Sequence, residues 1–491
     1  MSKTFYLYGA AIQGIQNFIF QTNELKDIVG ASELVEKVCT EAFDEFAEGQ
    51  NSILRAAGNI KHLFQNKEAC EKAVRYFPAK VMNMAPGITI SQAVVAFEEG
   101  NFEEAVGLLE QKLRVQRNRP AASMTLGIMG MVRSRKTGLP AVSQEKGDYY
   151  DLATIKKREI VGMAHYMLCQ KSFGLFNLKN RIAYDIGDIA AENNWIAIVH
   201  ADGNGLGQIV RLIGKQPDVL KDFSSALNEA TCKSAQYAFE TIRPEFEEEK
   251  CIPIRPIVLG GDDMTVVIRG KLAMEYTKAY LEAFERNTKN LFGRIVSQYP
   301  TLDCSQRDIL NAGLTACAGI AFIKSSYPFY YGYHLAEDLC TKAKKDAKGF
   351  NEKRAPSCVM FHKVQDSFIE SYKDIVSREL TPCKDNTFVF GPYYLHTYVP
   401  DGRWSIEDLL SKSGLLESME GNAVKSGLRQ WMTLLHSKGE EGAIQKKKRM
   451  LSLLEDDVLK QLVKEVIDEK NKRHAVYDVL SLNSVSQVLN N

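Results

Sequence analysis

The hydrophobic pattern of this chain changes period in a regular order, and the middle of the chain shows it most clearly. Trp195-Ile196-Ala197-Ile198-Val199-His200-Ala201 is a nearly unbroken apolar run, as expected of a buried strand. Helical material follows to about residue 242, with apolar positions at helical spacing from Asn228 to Ile242. Two β-branched runs, about 254–259 and 264–269, flank Gly260-Gly261-Asp262-Asp263 and predict a β-hairpin with its turn at the carboxylates. A helix is predicted over about 271–292, a strand over 313–323, a helix over 332–348 and a last strand over 357–362. The order is β-α-β-β-α-β with one extra α-β, the ferredoxin-like palm plan.

A weaker copy of the series opens the chain. It predicts a strand at Thr4–Tyr8, mostly helix over Ile12–Phe46, a hairpin from Ser52–Leu54 and Ile60–Phe64, a helix over Lys67–Phe77, a strand over Ile88–Phe97 and a helix over Phe102–Gln116. The matching hairpin carries Arg55-Ala56-Ala57-Gly58-Asn59 and no acidic pair. Residues 133–140 read as a loop, 151–171 as a helix, and the chain beyond about 365 as mainly helical, near 405–420, 422–438, 440–454 and 456–482. The expected class is α+β: two ferredoxin-like palms and a C-terminal helical domain. The expected division is a non-catalytic first palm over 1–140, a helical connector over 141–190, a second palm over 191–365 and the helical domain over 366–491.

Composition narrows the class without choosing a chemistry. Hydrophobic content of 45% and charged content of 25% are ordinary for a globular chain. A net charge of +1 gives no global field for long nucleic acid. The ten cysteines include no C-x-x-C pair, so reduced thiols in a cytoplasmic protein are expected over zinc ligation. No apolar run is long enough to span a membrane, and the first twenty residues lack the pattern of a signal peptide. The basic runs 446–449 and 470–473 read as solvated faces of helices.

Candidate chemistry rests on Asp202, Asp262 and Asp263. Asp202 follows the first strand of the second palm, and adjacent aspartates at a tight turn repel each other unless a cation neutralises them. One acid at a strand end and two on a neighbouring hairpin suit two magnesium ions, or manganese in their place, which take hard oxygen ligands in nucleotidyl transfer. Gly-Gly-Asp-Asp is also a common hairpin turn; the ordered Asp202 strand favours the metal reading. The glycines at 203, 205 and 207 after Asp202 miss the dinucleotide-binding spacing. With Asn204 they read instead as a turn whose amides approach triphosphate oxygens, as do Gly260 and Gly261. Lys344 and Lys348, four apart on one helix, are candidate triphosphate contacts or a surface cluster. His200 has no metal-spaced partner and reads as a packed histidine.

These residues resemble the large polymerase-like subunit of type III CRISPR effector complexes, the GGDD palm family of oligonucleotide cyclases. The likeness lies in Ile12–Phe20 with Ile28-Val29-Gly30-Ala31-Ser32, in Asp202–Gly207, in Gly260–Asp263, and in Gly319-Ile320-Ala321, Pro328, Ala336-Glu337 and Ala343-Lys344 in order. The resemblance implies two facing palms, each with a nucleoside triphosphate, the metals on Asp202, Asp262 and Asp263, Lys344 on the triphosphate, and Gly30 and Ser32 near the nucleotide of the first palm. It implies conversion of ATP into short, usually cyclic oligoadenylates in antiviral defence. The chain departs from the family pattern at Ala11 and Asn204, where many relatives carry acids, and in lacking the cysteines of a zinc module between the palms. The resemblance also places the first palm at the chain start, without the nuclease domain that precedes it in many relatives.

The expected function is a metal-dependent synthase of an oligonucleotide second messenger, cyclic or linear, with ATP favoured by analogy and a defence effector or regulator protein as partner. A catalytic subunit of an RNA-guided complex and a non-enzymatic nucleotide sensor are the alternatives.

Overall fold

The computed structural model describes residues 4–47, 51–56, 58–119, 128–164, 167–174, 181–190, 193–214, 216–365, 371–383, 385–396, 399–400 and 402–486. Strands β1 (Thr4–Gln13), β2 (Ser52–Ala56), β3 (Asn59–Phe64) and β4 (Thr89–Glu98) form a sheet in the order β2-β3-β1-β4. A hairpin of β5 (Ala141–Glu145) and β6 (Asp148–Asp151) follows. Strands β7 (Trp195–Gly203), β8 (Ile254–Gly260), β9 (Asp263–Arg269), β10 (Ala316–Lys324), β11 (Cys358–Lys363) and β12 (Tyr393–Tyr394) form a second sheet in the order β12-β11-β10-β7-β9-β8. Its four strands β10-β7-β9-β8 repeat the antiparallel order of the first sheet, so both carry the ferredoxin-like arrangement.

The second sheet is covered on both faces. Ile196, Ala197, Ile198 and Val199 are all fully buried, which explains the absence of polar alternation in β7. Helices Pro217–Ile242 and Ala273–Gln298 pack together on one side. Helix Phe329–Phe350 makes the crossover between the parallel strands β10 and β11 and packs on β10. Along β7, Ile198, His200 and Asp202 share one face, and the same helix meets all three. A Cβ on Gly332 would lie 2.9 Å from Ile198 Cδ1, the His200 and Tyr333 rings are 5.9 Å apart, and Lys344 pairs with Asp202.

Several elements differ from the pattern-based reading. Strand β1 extends through Ile12 and Gln13, and helix resumes only at Ile15 because Gly14 turns the chain at φ 69°. Ala141–Asp151 is a hairpin, where a helical connector is expected; Lys146 and Gly147 supply its turn with positive φ. The helix Cys304–Ala312, closed by a capping box from Asp303 and Gln306, has no counterpart in the sequence reading. The expected helix over 456–482 is two, Asp457–Val466 and Val476–Ser486, and β12 adds the region beyond 365 to the sheet. The basic runs are partly structural: Lys447 is buried and donates to the Ile467 carbonyl at 2.9 Å, and Arg473 Nε donates to that of Val389 at 2.9 Å.

Helix Phe329–Phe350 sits close to β10 because residue 319 is glycine. A Cβ there would lie 2.0 Å from the Ala336 carbonyl oxygen and 2.5 Å from the Cys340 amide nitrogen. Gly319→Ala is expected to cost about 2 kcal/mol or more, since backbone must move. Gly349→Ala, at the exposed end of the same helix with no atom within 4 Å, is expected to be neutral or to stabilise by up to about 1 kcal/mol. Urea unfolding midpoints of the two variants check this contrast.

Candidate functional site

The β8–β9 hairpin has a two-residue turn. Gly260 pairs with Asp263, and Gly261 at φ 63° takes the first central position, as a type II′ turn requires. Asp262 occupies the second position and Asp263 begins β9. Thr231, on the neighbouring helix, donates to the Gly261 carbonyl at 2.6 Å and holds the turn. Asp202 lies near the end of β7 in register with Cys317. Oxygens of Asp202, Asp262 and Asp263 all lie within 4.8 Å of one another, each side chain partly buried. The close approach requires glycine at 203, where a Cβ would be 2.9 Å from Asp262 Cβ and 3.1 Å from its Oδ2.

Electrostatics follow from this crowding. Burial first, then the charge of Asp202, pushes the Asp262 carboxyl up to about 7, and the same causes raise Asp263 well above the carboxylate range. Lys344 counters them. Its ammonium pairs with Asp202 Oδ2 and donates to the Gly203 carbonyl at 2.9 Å, and neighbouring Asp202 holds its proton more tightly than usual despite burial. Three carboxylates against one ammonium leave a local negative excess that a divalent cation would offset, and an all-oxygen set fits magnesium or manganese. His200 bonds Thr265 Oγ1 at 3.0 Å, and burial keeps it neutral, so it is a packed residue.

The remaining predicted residues fall around two cavities. Gly203, Asn204, Gly205, Gly207 and Lys348 line an open cavity of about 500 Å³, together with Arg211 and Arg354. Gly205, at φ 82°, starts the helix Leu206–Ile213. The Asn204 side chain is committed to β10 and the residue before it, donating to Thr315 Oγ1 at 3.1 Å and to Cys317 Sγ at 3.3 Å. Ser32, Gly260 and Asp263 line a narrower slot of about 180 Å³ between the two palms. Gly30 is buried within helix Leu25–Cys39, and Ser32 donates to the Ile257 carbonyl of β8 across the palm boundary.

Tyr333, which the sequence reading did not single out, completes the slot with Gln16 and Phe20. Gln16 Nε2 donates to Glu337 Oε1 at 2.9 Å and to the Tyr333 hydroxyl at 3.3 Å, and Phe20 stacks on Tyr333 at 4.2 Å. Tyr333, Glu337 and Lys344 recur at helical spacing on one face, a signal present in the sequence but shared by any amphipathic helix.

Comparison with known proteins follows this geometry. Residues 195–352 match the family model described as Cas10/Cmr2, second palm domain. No curated protein sequence matches the chain. Among solved structures, the Csm1–Csm4 cassette in complex with cA4 aligns at 14% identity with a TM-score of 0.58, covering 99% of this chain and 70% of that one. Csm1 of T. onnurineus and the apo Csm1–Csm4 cassette each align at 15% identity and a TM-score of 0.53, with the same coverage. At such identities the structural likeness is one of fold. The family match then specifies the kind of palm: residues 195–352 form a palm domain of the Cas10/Cmr2 second-palm type, so the chain carries a Cas10-like palm domain.

Proposed function

We propose that the protein is a metal-dependent nucleotidyltransferase that joins nucleoside triphosphates into a short oligonucleotide, with ATP as the first candidate substrate. The observation that carries the reading is the convergence of Asp202, Asp262 and Asp263 within 4.8 Å, beside Lys344. These three carboxylates would hold the divalent ions, and the ions, when bound, supply Lewis-acid stabilisation of the attacking and leaving oxygens. The residues of the chain do the rest. Lys344 fixes Asp202 and presents positive charge beside the Gly203 carbonyl. The Gly203–Gly207 turn offers backbone amides, and Arg211, Lys348 and Arg354 make the 500 Å³ cavity suitable for a triphosphate.

The interpalm slot is smaller than the roughly 300–1,000 Å³ of a typical ligand site, so it suits the base or sugar of the acceptor nucleotide. Gln16, Ser32, Glu36, Asp263 and the Tyr333 hydroxyl are polar groups among its apolar walls. In this reading the 3′ oxygen of the acceptor bonds to the α-phosphorus of the donor, the bond to pyrophosphate breaks and the 3′ proton is released. The Csm1–Csm4 cassettes whose fold it shares include complexes with cA4, pppApA and AMPPNP, which supports an adenine nucleotide here. It also supports the family context of type III CRISPR defence, within which a Csm4-like partner is one test and a stand-alone synthase the other.

Incubation with each NTP and dNTP plus magnesium, with pyrophosphate release and mass spectrometry as readouts, tests the proposal. Magnesium-dependent product is expected, and Asp263→Asn should lower its rate by about 100-fold or more. Product formation indifferent to that substitution would refute it.

The raised carboxyls give a second expectation. Asp262 titrates at about 7 when folded against an ordinary value of 3.8, so the metal-free folded chain holds more protons than the unfolded chain between those values. Its stability therefore falls as pH rises through that window. Magnesium should raise the unfolding temperature clearly at pH 8 and little at pH 5, measured by differential scanning fluorimetry. Asp262→Asn/Asp263→Asn should abolish the difference.

A further inference from the structure

A second polar cavity lies at the other end of the β7 sheet. Trp195 begins β7 and Asp202 stands seven residues on, a separation of roughly 23 Å along an extended strand. The cavity, of about 870 Å³, is bounded by Trp195, by Lys324 at the end of β10, by Lys363 at the end of β11, and by the helices Met419–Leu453 and Val476–Ser486.

Its charge is unusual for a gap between structural layers. The Lys324 and Lys363 ammoniums lie 4.1 and 4.4 Å from the centre of the one Trp195 ring, so they are at most about 8.5 Å apart. Lys324 Nζ donates to the Asn193 carbonyl at 2.8 Å and Lys363 Nζ to Ser484 Oγ at 2.5 Å, which leaves each ammonium with further donors. Arg429 brings a third cation from the C-terminal helix. Among the described lining residues the carboxylate is Glu379, so the balance is positive. Burial, then the charges of Lys324 and Arg429, pushes Lys363 down to about 8. Met432, Leu480 and Val364 supply an apolar side.

From this geometry we infer that the cavity is a binding site for a phosphate-bearing ligand of nucleotide size, with Lys324, Lys363 and Arg429 on the phosphates and the apolar wall against the base. The volume falls within the roughly 300–1,000 Å³ range of small-molecule sites and exceeds what a lone phosphate needs. Lysine and arginine forks facing one space suit phosphate oxygens. The inference does not rest on the reading of the carboxylate site, which sits at the far end of the strand.

Calorimetric titration of the full chain with ATP and with inorganic pyrophosphate, without divalent metal and in an Asp262→Asn/Asp263→Asn background, tests it. ATP is expected to bind, to change tryptophan fluorescence, and to bind about tenfold or more tightly than pyrophosphate. Lys324→Ala/Arg429→Ala, two exposed positions, is expected to weaken ATP by about tenfold or more at an unchanged unfolding temperature. The same loss should follow from Lys363→Met. Unchanged ATP affinity in these variants would overturn the site, and equal binding of pyrophosphate would overturn its assignment to a nucleotide.

Discussion

The repulsion among Asp202, Asp262 and Asp263 is the constraint around which the second palm is built. Burial, and then the Asp202 charge held within 4.8 Å, raise the proton affinity of Asp262 and Asp263, and the fold concedes this to keep the three together. It does so with backbone more than with side chains. A type II′ turn fixes the hairpin tip, Thr231 ties that tip to the helix behind, and the missing side chain at Gly203 lets Asp262 press against β7. Lys344 supplies the compensating charge, and its position depends on a helix lying almost in contact with β10.

That helix, Phe329–Phe350, also joins the two palms. Tyr333 and Glu337 take hydrogen bonds from Gln16, Phe20 stacks on Tyr333, and the Phe329 amide donates to Asn23 Oδ1 at 3.0 Å. The element that places the lysine beside the carboxylates therefore also sets one wall of the slot between the palms. The connector acts from the other side: Arg158 bonds Asp27 at 2.7 Å, and Lys171 pairs with Glu36 beside the slot. Displacement of the first palm would thus disturb the polar lining of the slot as well as its width.

The two palms share strand order but differ in charge at the hairpin. In the first, Asn59 pairs with Ala56 as Asp263 does with Gly260, and Arg55, the strand residue before that pair, bonds Asp44 at 2.6 Å and the Cys39 carbonyl at 3.1 Å. Arg55 thereby ties the hairpin to its own helices, and neither Gly58 nor Asn59 at its tip is an acid.

Much of this was legible in the residues themselves. The unbroken apolar run of β7, the paired β-branched runs and the Gly-Gly-Asp-Asp tip determine strand order and hairpin locally, because period and turn chemistry are short-range properties. The three acids were identifiable for the same reason. Other features depend on which backbones approach each other. The end of β1 at Gln13, the hairpin over 141–151 and the break between Val466 and Val476 rest on single residues of permissive φ or on distant packing, which periodicity does not encode. The Gln16–Glu337 contact joins residues 321 apart, and the Lys324–Trp195–Lys363 cluster gathers three strand ends. Local elements and the acids that carry charge can be read along the chain; which cations and polar groups face those acids follows from the packed fold alone, because electrostatic partnership is set by distance in space.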